Sequence, residues 1–206
     1  MKHKEPGKDE RRLVPPETSL FVVSAPSGAG KRTILDTVFE RDDGLAYAVS
    51  ATTRPPRTGE VDGQNYFFLS EEAFRCRVKA GDFLEWAAVH GNLYGTLREE
   101  LSKRLASGKD VVLELDVQGM RSVKAAWPDT VSVFVMAPSF EELERRLERR
   151  GANDPADTAV RLANARTEMD VRHEFDYIIV NDDLAEAVSD MEAIVRAARC
   201  RAAKQP

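Results

Sequence analysis

The chain has 206 residues, of which 42% are hydrophobic and 32% are charged, a composition typical of a single compact globular domain. This composition excludes an intrinsically disordered protein, and no apolar run approaches the ~20 residues that span a bilayer. The net charge of −5 excludes a broadly basic surface for nucleic acid, so phosphate recognition would need a local cluster of basic side chains. We therefore expect neither nucleic acid nor a membrane as a partner.

The first 19 residues are polar and of mixed charge, without the apolar stretch of a secretory signal peptide. We predict that residues 1–19 form a flexible leader. The two cysteines, Cys76 and Cys200, lack the spacing of a metal site, and two free thiols suit a reducing compartment. The sequence thus predicts a cytoplasmic protein.

Short, continuous apolar runs predict four buried strands, a pattern typical of parallel sheets. They occupy residues 20–23, 111–116, 131–136 and 177–180. Apolar residues at helical spacing predict helices at residues 31–41, 71–79, 98–107 and 184–203, with two more that begin near Ser139 and Asp154. The first of these two is expected to end at Gly151, and the second to have Asp154 as its N-cap and Pro155 at its first position. Strands that alternate with helices predict an α/β fold with a mostly parallel sheet.

The pattern changes between residues 46 and 95, where β-rich pieces and glycine or proline turns surround one short helix. The β-rich pieces are residues 47–49 and 66–69. Such a segment between two regular α/β stretches predicts an inserted lobe, which we place at residues 46–95.

A glycine-rich loop follows the first predicted strand and precedes the first predicted helix. It comprises Ala25, Pro26, Ser27, Gly28, Ala29, Gly30, Lys31, Arg32 and Thr33. Small residues let backbone N–H groups wrap a polyphosphate, the helix N-terminus adds partial positive charge, and Lys31 adds a full one. An ordinary tight turn with a surface lysine is the alternative, but this context favours nucleotide binding and leaves the reaction open.

The loop departs from the G-x-x-x-x-G-K-[ST] pattern at both ends. Ala25 replaces the first glycine, and Arg32 stands where a Mg²⁺-binding hydroxyl is usual. Thr33 follows, but one helical position is a rotation of about 100°, so the sequence does not predict that it reaches the same ligand. The order Lys-x-Thr resembles the loop of adenylate kinases.

A second basic element lies in the predicted lobe. Arg54 and Arg57 are separated by two prolines that stiffen the backbone, and paired guanidinium groups suit a phosphate monoester. Taken alone, this segment could equally be a solvated loop with two surface charges.

Together these segments resemble the guanylate kinase family. The residues that carry the resemblance are 27–31, 50–60 with Gly63 and Tyr66, 83–85, 91–96, 116–119 and 180–183, in family order and spacing. The resemblance covers nearly everything from Leu20 to Arg199. It implies an α/β P-loop kinase with a mostly parallel sheet core, an inserted GMP-binding lobe and a helical lid.

The resemblance also implies roles for individual residues. The GMP phosphate would be held by Arg54, Arg57, Tyr66 and Tyr94, and the guanine would be held or supported by Ser50, Glu85, Thr96 and Asp116. Guanine presents two N–H donor groups beside an acceptor, which a carboxylate and hydroxyls can match. Without the motif, Glu85 would be read as a surface acid and the two tyrosines as packing residues.

The lid and the acidic strand end complete the implied site. Arg146, Arg150 and Arg161 would close over ATP and stabilise charge during transfer, although Arg146 also fits an ordinary i,i+4 surface pair. Asn181 resembles the family residue beside the adenine. The family usually has aspartate where this chain has Glu114, and the sequence leaves open which of Glu114 and Asp116, if either, acts on the metal.

We therefore predict transfer of the γ-phosphoryl group of ATP to GMP, with Mg²⁺ as cofactor and ATP and GMP as substrates. No residue is assigned as a metal ligand. The predicted core comprises residues 20–45, 96–138 and 173–206, the GMP lobe residues 46–95 and the lid residues 139–172. The alternatives are a kinase for another monophosphate, and a catalytically weakened guanylate-kinase-like module that binds proteins, which only Arg32 favours.

Overall fold

The computed structural model describes residues 18–89, 91–149 and 155–201. The strands are β1 (Leu20–Ser24), β2 (Leu45–Tyr47), β3 (Ala51–Thr52), β4 (Phe67–Phe68), β5 (Phe83–Val89), β6 (Asn92–Leu97), β7 (Asp110–Glu114), β8 (Val131–Met136) and β9 (Tyr177–Val180). The helices are α1 (Lys31–Arg41), α2 (Glu71–Ala80), α3 (Arg98–Ala106), α4 (Val117–Ala126), α5 (Phe140–Arg149), α6 (Pro155–Asp170) and α7 (Leu184–Arg199). None of the described helices is long and apolar enough to cross a membrane.

Five strands form a parallel sheet in the order β2-β7-β1-β8-β9. Every residue of the central strand β1 is buried, because helices cover both faces of the sheet. Phe21 and Val23 face one hydrophobic core with α1 and α7, whereas Leu20 and Val22 face a second core with α3 and α4. Full burial of such a side chain contributes about 1.5–3 kcal/mol to folding. The predicted α/β fold with a mostly parallel sheet is confirmed.

The sheet contains one strand more than the four predicted for it. Residues 47–49 were expected to open the inserted lobe, but β2 pairs in parallel with β7 at the edge of the main sheet. Tyr47 is fixed there because its ring stacks on that of Phe39 in α1, with centroids 3.9 Å apart and an interplanar angle of 10°. Strand β2 therefore belongs to the main sheet, and the first strand of the second sheet begins at Ala51.

A second sheet has the strand order β4-β3-β6-β5 and mixes one parallel pair with two antiparallel pairs. It has its own small core, in which Phe74 of α2 stacks on Phe83 of β5 at 4.3 Å between ring centroids. A separate core built from the region between Ala51 and Leu97 supports an inserted lobe.

The residues after β7 form helix α4, for which the sequence analysis made no prediction. Asp116 caps it by accepting a hydrogen bond from the Gly119 N–H at 2.7 Å. Strand β7 ends at Glu114, so Asp116 begins a helix instead of ending a strand. An N-cap aspartate satisfies a backbone donor that the helix leaves free.

Helices α5 and α6 correspond to the two helices predicted for the lid. The Glu142 N–H donates to Ser139 Oγ at 3.2 Å, which is the expected start of α5, and Leu143 and Leu147 bury its apolar face. Helix α6 begins at Pro155, as predicted. The expected end at Gly151 and the cap at Asp154 lie outside the described residues.

Candidate active site

The glycine-rich loop connects the carboxyl end of β1 to α1. Gly28 and Gly30 have φ angles of +92° and +89°, a left-handed backbone conformation that residues with a Cβ atom rarely adopt. Gly30 is the N-cap residue just before α1 and has no side chain that could cap the helix, so the first N–H groups of the helix keep their capacity to bind an anion. This geometry is that of a polyphosphate-binding loop.

Asn181, which follows β9, contacts the glycine-rich loop. It is buried, and its Nδ2 donates to the carbonyl oxygen of Ala29 at 2.8 Å. A Cβ atom built on Gly30 would lie 2.2 Å from that same Nδ2. Glycine at position 30 is therefore required by both the backbone angle and the packing.

Gly30→Ala is expected to lower the free energy of unfolding by more than Gly108→Ala does. Both positions have positive φ, for which alanine costs about 1–2 kcal/mol, but nothing lies within 4 Å of a Cβ on Gly108. The difference between the two variants in urea denaturation measures the collision with Asn181. Equal losses would show that Asn181 moves aside freely.

The two cations of the loop meet one carboxylate. Lys31 Nζ lies 3.3 Å from Glu114 Oε2, and Arg32 Nη1 lies 3.2 Å from Glu114 Oε1. The acid in contact with the loop is thus Glu114, whereas Asp116 caps α4. The Arg32 side chain is 63% exposed and also pairs with Asp36.

A cavity of about 380 Å³ opens between the loop and the base of the lid, a size within the range of small-molecule sites. Its lining residues are Gly28, Gly30, Thr33, Arg146, Arg149, Asn181, Asp182 and Leu184. The structure thereby brings together the loop, one predicted lid arginine and Asn181.

The predicted lid arginines have different positions. Arg146 bonds Glu142 Oε1 through Nε at 2.7 Å and the Asn181 carbonyl oxygen through Nη2 at 3.0 Å. Arg161 is exposed on α6 and does not line the cavity, and Arg150 lies outside the described residues. The sequence analysis missed Arg149, although it is three residues from Arg146 and such residues share a helix face.

A second site lies on the lobe, around Arg54. Its Nη2 is 2.8 Å from Glu60 Oε1, and the other oxygen of Glu60 accepts the Arg57 backbone N–H at 2.7 Å. The hydrogen bond to Glu60 raises the pKa of Arg54, and in return Arg54 lowers the pKa of Glu60. A carboxylate that the sequence analysis did not single out therefore bridges the two predicted phosphate arginines.

Two tyrosines stand beside this cluster. The Arg54 guanidinium carbon lies 5.4 Å from the ring centroid of Tyr66, which is 6.1 Å from the ring centroid of Tyr94. Three of the four residues predicted for the phosphate are thus adjacent. The fourth, Arg57, has an exposed side chain and joins them through its backbone bond to Glu60.

Glu85 and Thr96 face each other directly across the antiparallel pair β5–β6. Both are buried, and among the described residues neither Glu85 Oε1 nor Thr96 Oγ1 has a hydrogen-bond partner. Burial raises the pKa of Glu85, the nearby Thr96 hydroxyl and backbone N–H partly oppose that rise, and the charge of Asp116 adds to it. Two enclosed oxygens without partners indicate a polar ligand at this point.

Side chains alternate along β6, and this alternation relates Thr96 to Tyr94, which lies beside the Arg54 cluster. Tyr94 and Thr96 are two residues apart and therefore lie on the same face of the sheet. Ser50, just before β3, is half-buried, and its carbonyl oxygen accepts the Phe67 N–H at 2.9 Å. One face of the lobe thus carries a cationic cluster at one end and unpartnered acceptor oxygens at the other.

Comparisons with known proteins agree with this geometry. The family model described as guanylate kinase matches residues 17–198. The guanylate kinase of Thermotoga maritima is 50% identical over 182 residues, which are 88% of each chain, and that of a Polaromonas species is 48% identical over 187 residues, 91% of each chain.

A solved structure gives the same result for the fold. The crystal structure of guanylate kinase from Anaplasma phagocytophilum superimposes with a TM-score of 0.73 at 31% identity, covering 90% of this chain and 88% of that one. The predicted P-loop kinase fold is confirmed by this similarity.

Proposed function

This chain belongs to the guanylate kinase family, and from that membership we propose how its own residues carry the reaction. The enzyme transfers the γ-phosphoryl group of ATP to GMP and yields ADP and GDP. A catalytically weakened binding module is not favoured, because the relatives that match 88–91% of the chain are named as kinases and Lys31, Arg54 and Arg57 are all present.

The guanine would bind at Glu85 and Thr96. The observation that carries this assignment is the buried pair of unpartnered oxygens, Glu85 Oε1 and Thr96 Oγ1. An ionised carboxylate can accept from N1–H and N2–H₂ of guanine, whereas adenine has no such pair of donors. A site built this way rejects AMP because a buried acceptor would stay unpaired. Ser50 and Asp116 would support the same base.

The phosphate of GMP would bind at Arg54, Arg57, Tyr66 and Tyr94. Glu60 now bonds both arginines, so an incoming phosphate would take over at least part of those bonds. The geometry supports this role because a phosphate, like the carboxylate, is an anion that suits guanidinium groups.

ATP would bind in the loop of residues 25–33, with Lys31 at the β- and γ-phosphates and Asn181 near the adenine. Arg146, Arg150 and Arg161 would stabilise the charge that spreads over the transferred group and, as the lid closes, help to exclude water. Catalysis then consists of positioning and charge stabilisation, with no covalent enzyme intermediate. The division into core, GMP lobe and lid given above belongs to this proposal.

Mg²⁺ would enter with ATP. Among residues 18–89, 91–149 and 155–201, no group of three or more His, Cys, Asp or Glu is placed to hold a metal ion. Mg²⁺ would be held mainly by the phosphate oxygens of ATP and by water, with Glu114 as the carboxylate in contact with the loop, because this ion usually keeps several waters and binds substrate phosphates. When bound, it neutralises charge on the phosphates. We place the enzyme in the cytoplasm, since both cysteines are exposed free thiols.

The substrate assignment is tested by a coupled assay that measures ADP formation from ATP and Mg²⁺ with GMP, AMP, CMP or UMP. Turnover is expected with GMP and at most weakly with the other three. Faster turnover with another monophosphate would overturn the guanine assignment at Glu85 and Thr96.

At saturating ATP and GMP, Arg32→Ser is expected to retain activity and to lower the Mg²⁺ concentration for half-maximal rate. The change removes a cation and puts a hydroxyl at the position where P-loops commonly bind the metal. The measurement is a Mg²⁺ titration at saturating ATP and GMP, with Arg32→Ala as the control that lacks the hydroxyl. If only Arg32→Ser were active and the natural chain inactive at every Mg²⁺ concentration, the binding-module reading would replace the kinase reading.

A further inference from the structure

Glu114 is shared between two consecutive cations, Lys31 and Arg32. Each of its carboxylate oxygens lies near one of them, at 3.3 Å from Lys31 Nζ and 3.2 Å from Arg32 Nη1. Glu114 is the last residue of β7 and lies opposite Val23 of β1, so strand pairing places it beside the start of the loop. Its side chain is 24% exposed, which leaves the pair only partly screened by water.

Arg32 is held in place from other directions as well. Its Nε lies 2.8 Å from an oxygen of Asp36, one turn further along α1, and its guanidinium carbon lies 5.0 Å from the ring centroid of Tyr47. The Tyr47 ring is itself stacked on Phe39. Arg32 therefore keeps its contact with Glu114 without any help from Lys31.

Among the described residues, Lys31 has one ion pair, with Glu114, and the charge of Glu168 on α6 also acts on it. To act as proposed, it must leave Glu114 and reach the phosphates of ATP. If Lys31 were the sole partner of Glu114, its departure would leave a partly buried carboxylate unpaired beside an anionic ligand, and that raises the free energy of the complex.

We propose that Arg32 is a positioning residue that neutralises Glu114 and so releases Lys31 for the phosphates of ATP. This inference rests on the proposed role of Lys31 as a phosphate ligand. Arg32 weakens the hold of Glu114 on Lys31 in two ways: it supplies the carboxylate with a permanent partner, and it repels the neighbouring ammonium group. The arginine at the usual hydroxyl position thus assists ATP binding without touching the nucleotide.

The test is a double-mutant cycle on ATP affinity, measured by calorimetry with EDTA present and GMP absent. Arg32→Gln, which keeps the length but loses the charge, is expected to weaken ATP binding about three- to tenfold. In the Glu114→Gln background the same change is expected to have almost no effect, because Arg32 then has no Glu114 charge to neutralise. Arg32→Lys should preserve most of the affinity. Arg41→Ala, on the same helix and paired with Glu192, is the control that should leave ATP affinity unchanged.

Each other outcome overturns the inference. Equal losses in both backgrounds would mean that Arg32 contacts the phosphates itself, and a gain in affinity would mean that it obstructs the site. If Arg32→Gln bound ATP as tightly as the natural chain and only its unfolding temperature changed, Arg32 would have a structural role only. If the natural chain neither bound ATP nor phosphorylated GMP, the proposed kinase function would be rejected. If the natural chain did both and only the double-mutant cycle failed, the role of Arg32 alone would be rejected.

Discussion

Lys31→Ala should reduce the turnover number by a factor of about 10²–10³, the range seen when one preorganised charge-stabilising group is removed from an active site. Lys31 begins α1 directly after Gly30, where its charge adds to that of the helix N-terminus at the proposed phosphate site. Phosphoryl transfer depends on such charges because it offers little covalent chemistry for the protein. The measurement is the initial rate in a coupled assay at saturating ATP, GMP and Mg²⁺.

Lys103→Ala is the matched control for this experiment. Lys103 is exposed on α3, so its removal should leave the rate unchanged. The Lys31 variant should remain folded, because the ion pair that Lys31 forms with Glu114 is partly exposed and contributes little to stability. Near-normal turnover of folded Lys31→Ala would refute the assignment of the glycine-rich loop as the catalytic phosphate site.

Glu85→Gln should weaken GMP binding by roughly 1–3 kcal/mol, or about 5- to 150-fold, and leave ATP binding unchanged. The amide replaces one acceptor oxygen by a donor, which then opposes an N–H group of the guanine. Calorimetric titration with GMP and, separately, with ATP measures both quantities. Glu40→Gln, at an exposed position on α1, is the control. Unchanged GMP affinity together with weaker ATP binding would place Glu85 in another site.

Because the pKa of Glu85 is raised, the GMP affinities of the natural chain and of Glu85→Gln should depend differently on pH. Guanine binds the ionised carboxylate, so GMP affinity should fall as the pH decreases through the raised pKa, in addition to any change from the GMP phosphate. The phosphate titrates identically with both proteins, and the difference between natural chain and Glu85→Gln therefore isolates the carboxyl. Parallel pH profiles for the two proteins would contradict the assignment.

Ionisation of Glu85 favours GMP binding, but it has the opposite effect on the stability of the ligand-free protein. A buried acid whose pKa is higher in the folded than in the unfolded state stabilises the fold least when it is ionised. Without GMP, Glu85→Gln should therefore unfold at a higher temperature than the natural chain above the folded pKa. This advantage should disappear at acidic pH, where both side chains are neutral. Thermal unfolding followed by circular dichroism across this range measures the effect.

The sequence by itself determined the strands, the phosphate loop and the arginine segment, because each of these depends mainly on residues that are neighbours along the chain. Apolar runs gave β1, β7 and β8, because a strand buried on both faces needs no polar alternation. The fourth run gave β9, which was also expected to be buried but lies at the edge of the sheet with only Ile179 buried. The spacing of Gly28, Gly30 and Lys31 between a strand and a helix predicted the phosphate loop, because positive φ angles and a helix N-terminus are local properties. The stiff segment with Arg54 and Arg57 likewise predicted an anion site.

Tertiary structure alone decided which distant residues meet. Glu114 lies 82 residues from Arg32 and Asn181 lies 152 residues from Ala29, and these contacts follow from strand order, which no local pattern contains. The register of β5 on β6 set Glu85 opposite Thr96, and a shift by one residue would have turned these side chains to opposite faces. Residue type and spacing predict which face and which end of an element a side chain occupies, but its partner depends on how the elements pack.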